Sequence, residues 1–358
     1  MRKLFSIIML SSIPVICAAQ FHTVKIPRPS IKVVETQRLG VTDITVDYHS
    51  PAVRGRDVWA NVIGSYADPN LAWRAGANVN TRISFNTDVM IQGQKLKAGS
   101  YGFHIDTSEN GPWTLMFAHH DNQWGSYYLD RDEHVTLKVE ATPVECAFSE
   151  QLDYRFINRT DSSVVIALEW GEKRIPFTVS VDLAETVLSN FRYELLGENT
   201  YRWEAWNDAA RWCYDQNVNL EEGLEWANRS INGGYTGFAA NRNFTNMSTK
   251  ARILVALNRE EEFASTVNEM HALLDDLGAI YFFGLFLIEN EKAGAAEEMY
   301  DKGIEKFGEQ NWIMNLGLAQ AQFAGGKTKA ALKTAEKALE HTPERSRPFA
   351  QAAIDGLK

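Results

Sequence analysis

From Ile31 onward apolar and polar residues take turns with a period of two. Ile44, Val46 and Tyr48 alternate with Asp43, Thr45 and Asp47. The alternation returns at Tyr101-Phe103-Ile105, Trp113-Leu115-Phe117, Val135-Leu137-Val139, Leu152-Tyr154-Phe156, Val164-Ile166-Leu168-Trp170 and Ile175-Phe177-Val179. Turn-forming residues such as Leu39-Gly40, Gln92-Gly93 and Ala98-Gly99 separate these runs. About ten short strands, each with one apolar face, need a second layer to bury that face. The pattern therefore predicts an all-β sandwich of jelly-roll type, with a closed barrel as the alternative.

After Asp182 the period becomes helical, beginning with Leu183, Val187, Phe191 and Leu195. The helices pair, and the pairs repeat. Gly284, Ala296 and Gly303 align with Ala319, Ala331 and Ala338, each 35 residues later, and with Ala251, Phe263 and Met270, each 33 residues earlier. Small residues at such offsets mark where the two helices of one hairpin touch. Residues 311–343, with the turn Gly326-Lys327-Thr328-Lys329-Ala330-Ala331, resemble the tetratricopeptide repeat. An all-α, tetratricopeptide-like second domain is expected, its first helices lining a partner groove with Tyr281, Leu285, Ile288, Ile313, Leu316 and Phe323.

The first residues change the picture of where the chain works. Arg2 and Lys3 precede an apolar run, and Cys17-Ala18-Ala19 supplies small residues before Gln20. This predicts a signal peptide over residues 1–19 and an exported protein, periplasmic or extracellular, with domains at 20–182 and 183–358. Lipoprotein anchoring through Cys17 is the alternative; bulky Ile16 before it argues against that. The apolar run is too short to span a membrane. Only Cys146 and Cys213 then remain, one in each half, read as two buried thiols in preference to a disulfide.

The net charge of −10 is uneven. Residues 182–358 hold 27 acidic against 18 basic side chains, a balance of −9, and the first half is nearly neutral. That argues against a nucleic-acid partner, which demands clustered cations.

Two stretches break the strand rhythm, residues 49–80 and 119–132. Long irregular segments in a compact sandwich are where function is sought. The first holds Arg54, Arg56, Trp73, Arg74 and Asn78 around Gly76; the second holds Gln123, Trp124 and Tyr127. Arginines offer paired donors to a carboxylate or phosphate, rings stack on a sugar or peptide, and amides fix orientation. The competing reading pairs the arginines internally with Asp57, Asp68 or Asp121. The two loops are expected to converge on one ligand site.

Other chemistries fit less well. His104, His119, His120 and Asp121 could make a metal site only if one hairpin brought them together. With its turn near Glu109, His104 pairs near Thr114, more than about 15 Å along the strand from His119. No metal and no cofactor is expected. No nucleophile elbow is present, and paired acids for glycoside cleavage would have to come from Asp43, Asp47, Asp121, Asp130 or Asp132.

Five blocks in order carry a resemblance. They are Val41-Thr42-Asp43-Ile44-Thr45-Val46-Asp47-Tyr48, Ser50-Pro51-Ala52-Val53-Arg54-Gly55-Arg56, Trp73-Arg74-Ala75-Gly76-Ala77-Asn78, Lys97-Ala98-Gly99-Ser100-Tyr101 and Asn122-Gln123-Trp124-Gly125. Residues 29–181 resemble the exported bacterial domain-of-unknown-function family 2911. The chain departs from that family in the longer segment between Asn61 and Trp73 and in His104. The resemblance implies a fold and an export route and brings no established reaction. Two functions follow: a non-enzymatic binding or scaffold protein with a small anionic or carbohydrate ligand and a protein partner, or an envelope enzyme acting on a glycan or peptide.

Overall fold

The computed structural model describes residues 27–66, 71–234 and 237–357. The expected signal peptide, Cys17, Gln20 and Asp68 lie outside them. The chain forms two compact units, Met1–Thr186 and Val187–Lys358.

The strands are β1 (Ile31–Leu39), β2 (Thr42–Ser50), β3 (Thr81–Phe85), β4 (Val89–Ile91), β5 (Gln94–Leu96), β6 (Gly99–Asp106), β7 (Trp113–Ala118), β8 (Val135–Ala141), β9 (Val144–Ile157) and β10 (Ser163–Ser180). They make two antiparallel sheets, ordered β1-β2-β3-β6-β7-β8 and β5-β4-β10-β9. Strict alternation in β2 buries Ile44, Val46 and Tyr48 on one face. These meet Phe103 and Phe117 of the same sheet and Tyr154 and Phe177 of the other in one core. The β-sandwich is thus built as its alternation requires.

Two local features depart from the expectation. The runs at Val164 and Ile175 belong to one strand, β10, kinked where the register with β9 slips on either side of Gly171 (φ +56°). One left-handed residue in a β-bulge bends the ladder without ending it. The segment after Arg56 also contains a helix, α1 (Val58–Tyr66). Asp57 caps it, its Oδ1 accepting from Ala60 N at 3.0 Å. Val58, Trp59 and Val62 then turn into the core. Trp59 donates its indole N–H to Trp170 O at 2.8 Å and sits among Trp73, Trp113 and Trp170.

The second unit follows α2 (Leu183–Glu194), which spans the division. Its helices are α3 (Trp203–Gln216), α4 (Leu220–Asn232), α5 (Phe244–Ala256), α6 (Glu260–Met270), α7 (Leu277–Glu289), α8 (Ala293–Phe307), α9 (Trp312–Ala324), α10 (Thr328–His341) and α11 (Arg347–Asp355). The helices pack as pairs, α3 with α4, α5 with α6, α7 with α8 and α9 with α10, and α3, α5, α7 and α9 pack in series, the arrangement of a tetratricopeptide-like stack. The aligned small positions carry that packing: Ala251, Ala296, Ala319, Ala331 and Ala338 are fully buried. The Tyr300 ring wedges between Gly284 and Gly317, its hydroxyl donating to Tyr281 O at 2.7 Å.

The expected partner groove changes in composition. Tyr281 and Leu316 are buried in the helical core, where the Tyr281 hydroxyl donates to Gln320 Oε1 at 3.0 Å. Leu285, Ile288 and Ile313 are partly buried against that core, and Phe323 is exposed. The reason lies in α7, LGAIYFFGLFLIE, which is apolar on all sides. A helix with no polar face gives the sequence no way to tell inside from outside.

Candidate functional site

The two irregular loops do meet. Val79 and Trp124 form a β-bridge; Asn80 N donates to Gln123 O at 3.0 Å, and Gly125 N donates to Asn78 O at 3.3 Å. Buried Asn80 holds the junction, its Oδ1 accepting from Gln123 N at 2.8 Å and its Nδ2 reaching Asp121 O at 3.3 Å. From below, His104 bonds Ser126 Oγ through Nδ1 at 2.7 Å and meets the Gln123 amide at 3.3 Å through Nε2. Burial, with the Arg131 charge adding to it, pushes His104 down to about 4, so the ring is neutral. His104 pairs with Met116, two residues from the expected register, because the β6–β7 turn begins after Asp106. It is a packing residue under the second loop and does not face His119. Among the described residues no group of three metal-binding side chains is placed to hold an ion.

Though the loops meet, their chemistry opens onto two concavities. The first is a cavity of about 510 Å³ lined by Arg54, Arg56, Arg74, Trp73 and Trp170, with Pro51, Ala52, Gly76 and Ala77 among its walls and, among the described residues, no carboxylate. Trp73 is 3% exposed and serves the core as much as the cavity. Its ring stacks on Trp170 at 6.2 Å, and its backbone bridges to Ile105 through two 2.8 Å bonds. Arg56 is partly spent, its Nε donating to Val53 O at 2.9 Å and its Nη2 to Ala52 O. The Arg54 and Arg74 side chains have no carboxylate partner among the described residues. Asp57 caps α1 instead, and Asp121 accepts from Ser100 Oγ at 2.6 Å, so neither pairs with these arginines.

The cavity holds unpaired donors. Arg74 Nε and Trp170 Nε1 both belong to side chains lining it, and both are buried without a hydrogen-bond partner among the described residues; the Asn78 Nδ2 donor and the His49 Nδ1 ring nitrogen, on the adjoining chain, also have none. A buried donor left unpaired costs about 1–3 kcal/mol. Trp170 was not among the residues the sequence marks, since a tryptophan on the apolar face of a strand reads as core. The loop is also strained: Arg54 (φ +51°), Ala75 (+52°) and Asn78 (+62°) take left-handed backbone, at about 1–3 kcal/mol each for residues other than glycine. Gly76 does not take that conformation. It is needed for closeness, since a Cβ there would lie 2.9 Å from Thr81 Oγ1 and 3.2 Å from His49 O.

The second concavity, about 530 Å³, is lined by residues 119–124 and Tyr128. Gln123 and Trp124 lie here and not with the arginines. Tyr127 is exposed and stands beside Arg74 across Gly125, where a Cβ would be 2.9 Å from the tyrosine ring and 3.1 Å from Arg74 Nη1. Arg74 thus runs from the cavity to the junction of the loops.

In the helical unit Cys213 is a buried free thiol pushed up to about 11 by burial, and Cys146 in the β unit is likewise free. Among the described residues no helix is long and apolar enough to cross a membrane.

No curated protein matches this chain. A crystal structure of a tetratricopeptide repeat protein from Parabacteroides merdae is similar at 16% identity and a TM-score of 0.33, covering 48% of this chain and 68% of that one. Residues 30–179 match the family model described as Protein of unknown function (DUF2911), so the chain carries a domain of that family, followed by tetratricopeptide-like helical repeats.

Proposed function

We propose that this chain is an exported, non-enzymatic binding protein whose β-sandwich holds a small ligand with a carboxylate or phosphate group. The carrying observation is the pair of buried donors without a partner among the described residues, Arg74 Nε and Trp170 Nε1, on side chains that line a cavity with three arginines and, among those residues, no acid. In a chain of net charge −10 such a local cationic enclosure is an exception. An oxyanion satisfies donors that otherwise cost stability, and a guanidinium receives it with two parallel bonds. The volume lies within the range of small-molecule sites, about 300–1,000 Å³.

The export route is part of this reading: cleavage after Ala19 leaves a β domain at 20–182 and helical repeats at 183–358. The repeats are the surface for a protein partner, through Phe323 and the partly buried Leu285, Ile288 and Ile313. Nucleic acid is disfavoured by the acidic second half. An enzyme would need an acid of raised pKa in one of these concavities. Burial raises Glu35 and Asp153 in the β unit, but neither lines them, which favours binding over catalysis.

Calorimetric titration of the mature protein with succinate and with inorganic phosphate tests the reading. Saturable binding of one of them, weakened at least about tenfold in Arg74→Gln, is expected. Absence of binding by both, or equal binding by the variant, refutes it.

A further inference from the structure

The second concavity has a chemistry of its own. Trp124 is 53% exposed and Tyr128 73% exposed, a large aromatic surface for one short loop. Both rings line the concavity, together with Asn122, the half-buried Asp121, and His119 and His120. Among the described residues no aliphatic side chain and no lysine or arginine does. An apolar peptide segment would find no aliphatic pocket there, and a phosphate group no counter-charge.

The side chain of Asn122 makes no hydrogen bond to the described residues, and the His119 and His120 rings, packed on each other at 4.6 Å and on His134 at 5.3 and 3.9 Å, make none either, so their ring nitrogens remain available beside the aromatic surfaces. Asp121 is oriented: its Oδ2 accepts from Ser100 Oγ at 2.6 Å and lies 3.7 Å from Arg82 Nη1. Exposed rings usually cost solubility and persist where they are used.

The loop is also held rigid. The Val79–Trp124 bridge, the Asn80 bonds to Gln123 and Asp121, and the Ser126 bond to His104 fix its backbone from three sides. A platform ordered in advance loses little entropy on binding.

We propose that this concavity is a carbohydrate-binding site, distinct from the arginine cavity. A pyranose has the matching surface: a C–H face that stacks on an indole or phenol ring, and a rim of hydroxyls that both donate and accept. Trp124 and Tyr128 supply the stacking surfaces, and Asn122, Asp121 and the two histidines take the hydroxyls. The ligand is a neutral sugar, since the concavity offers one carboxylate and no permanent cation.

The test titrates the full mature chain with cellohexaose, maltohexaose and chitohexaose, followed by calorimetry and by tryptophan fluorescence. At least one should bind at millimolar concentration or better and shield Trp124 from acrylamide quenching. Trp124→Ala and Tyr128→Ala should each weaken binding at least about tenfold, because each removes a ring and leaves the backbone anchors intact. Arg54→Gln, which alters the arginine cavity away from this loop, should leave sugar binding unchanged, which separates this site from the anion cavity. The proposal is overturned if none of the three binds the wild type, if both ring variants bind as the wild type does, or if Arg54→Gln abolishes sugar binding as well.

Discussion

His104 is fully buried beneath the second loop, neutral, and flanked by Ser126 and Gln123. Lowering the pH therefore loads a proton onto it in the unfolded chain long before it does so in the fold. Folded, the ring titrates at about 4; unfolded, at about 6.5. Between these values the unfolded state binds more protons, so stability rises with pH there and is lost as pH falls from 6.5 toward 4. The whole gap corresponds to about 3 kcal/mol, and about 2.5 kcal/mol of it is gone at pH 4.5. Carboxylates and other histidines titrate over the same range, so the comparison is with His104→Gln. Urea unfolding of both proteins at pH 7.5 and 4.5, followed by hydrogen-exchange mass spectrometry of β6 and β7 peptides, isolates the β unit. The wild type should lose about 2.5 kcal/mol more than the variant across that interval. Its His104 C2 proton should titrate in NMR with a midpoint near 4. Equal losses in the two proteins, or a midpoint at the ordinary histidine value, would refute the reasoning.

Gly102→Ala places a Cβ 2.3 Å from His120 O and 2.7 Å from Asn80 Nδ2, so it should cost about 1–3 kcal/mol by overpacking. The melting temperature of the β unit should fall with it, and an unchanged value would mean the loops are not locked as described. Tyr300→Phe removes the hydroxyl bond to Tyr281 O and should destabilise the helical unit by about 1 kcal/mol in chemical denaturation, while leaving the β unit's transition in place. N-terminal sequencing of the exported protein should begin at Gln20; recovery of an acylated Cys17 would assign the other class of signal.

The sandwich was legible because strands such as β2, β3 and β8 bury one face. In β2 the buried positions are every second residue, and no other element produces that period. The kink in β10 was not, because Gly171 between two alternating runs looks the same whether the chain bulges or turns. Helix α1 hid behind a segment with charges on its near side; the Asp57 cap and the Val58, Trp59 and Val62 spacing were its signal. In the repeats, the small residues at fixed offsets marked helix contacts, but the all-apolar α7 concealed that Tyr281 faces inward.

The meeting of the two loops was readable from their shared departure from strand rhythm. Their division into two concavities was not, since it depends on the course of the Arg74 side chain past Gly125. Nor could the sequence mark Trp170 Nε1 as an unpaired donor. That state is a property of what surrounds the indole, and the surroundings come from strands far apart in the chain.

The central claim is that Arg74 stands in the β-sandwich to receive an anion. It is tested most directly by following the Arg74 Nε–H resonance, assigned by its loss in Arg74→Lys, while succinate or phosphate is titrated into the mature protein. The account predicts a saturable downfield shift and slower exchange of that proton with water, as expected when a buried donor without a partner gains one. A resonance already shifted downfield, slow to exchange and indifferent to either anion would show that Arg74 is paired within the protein, and would contradict the account.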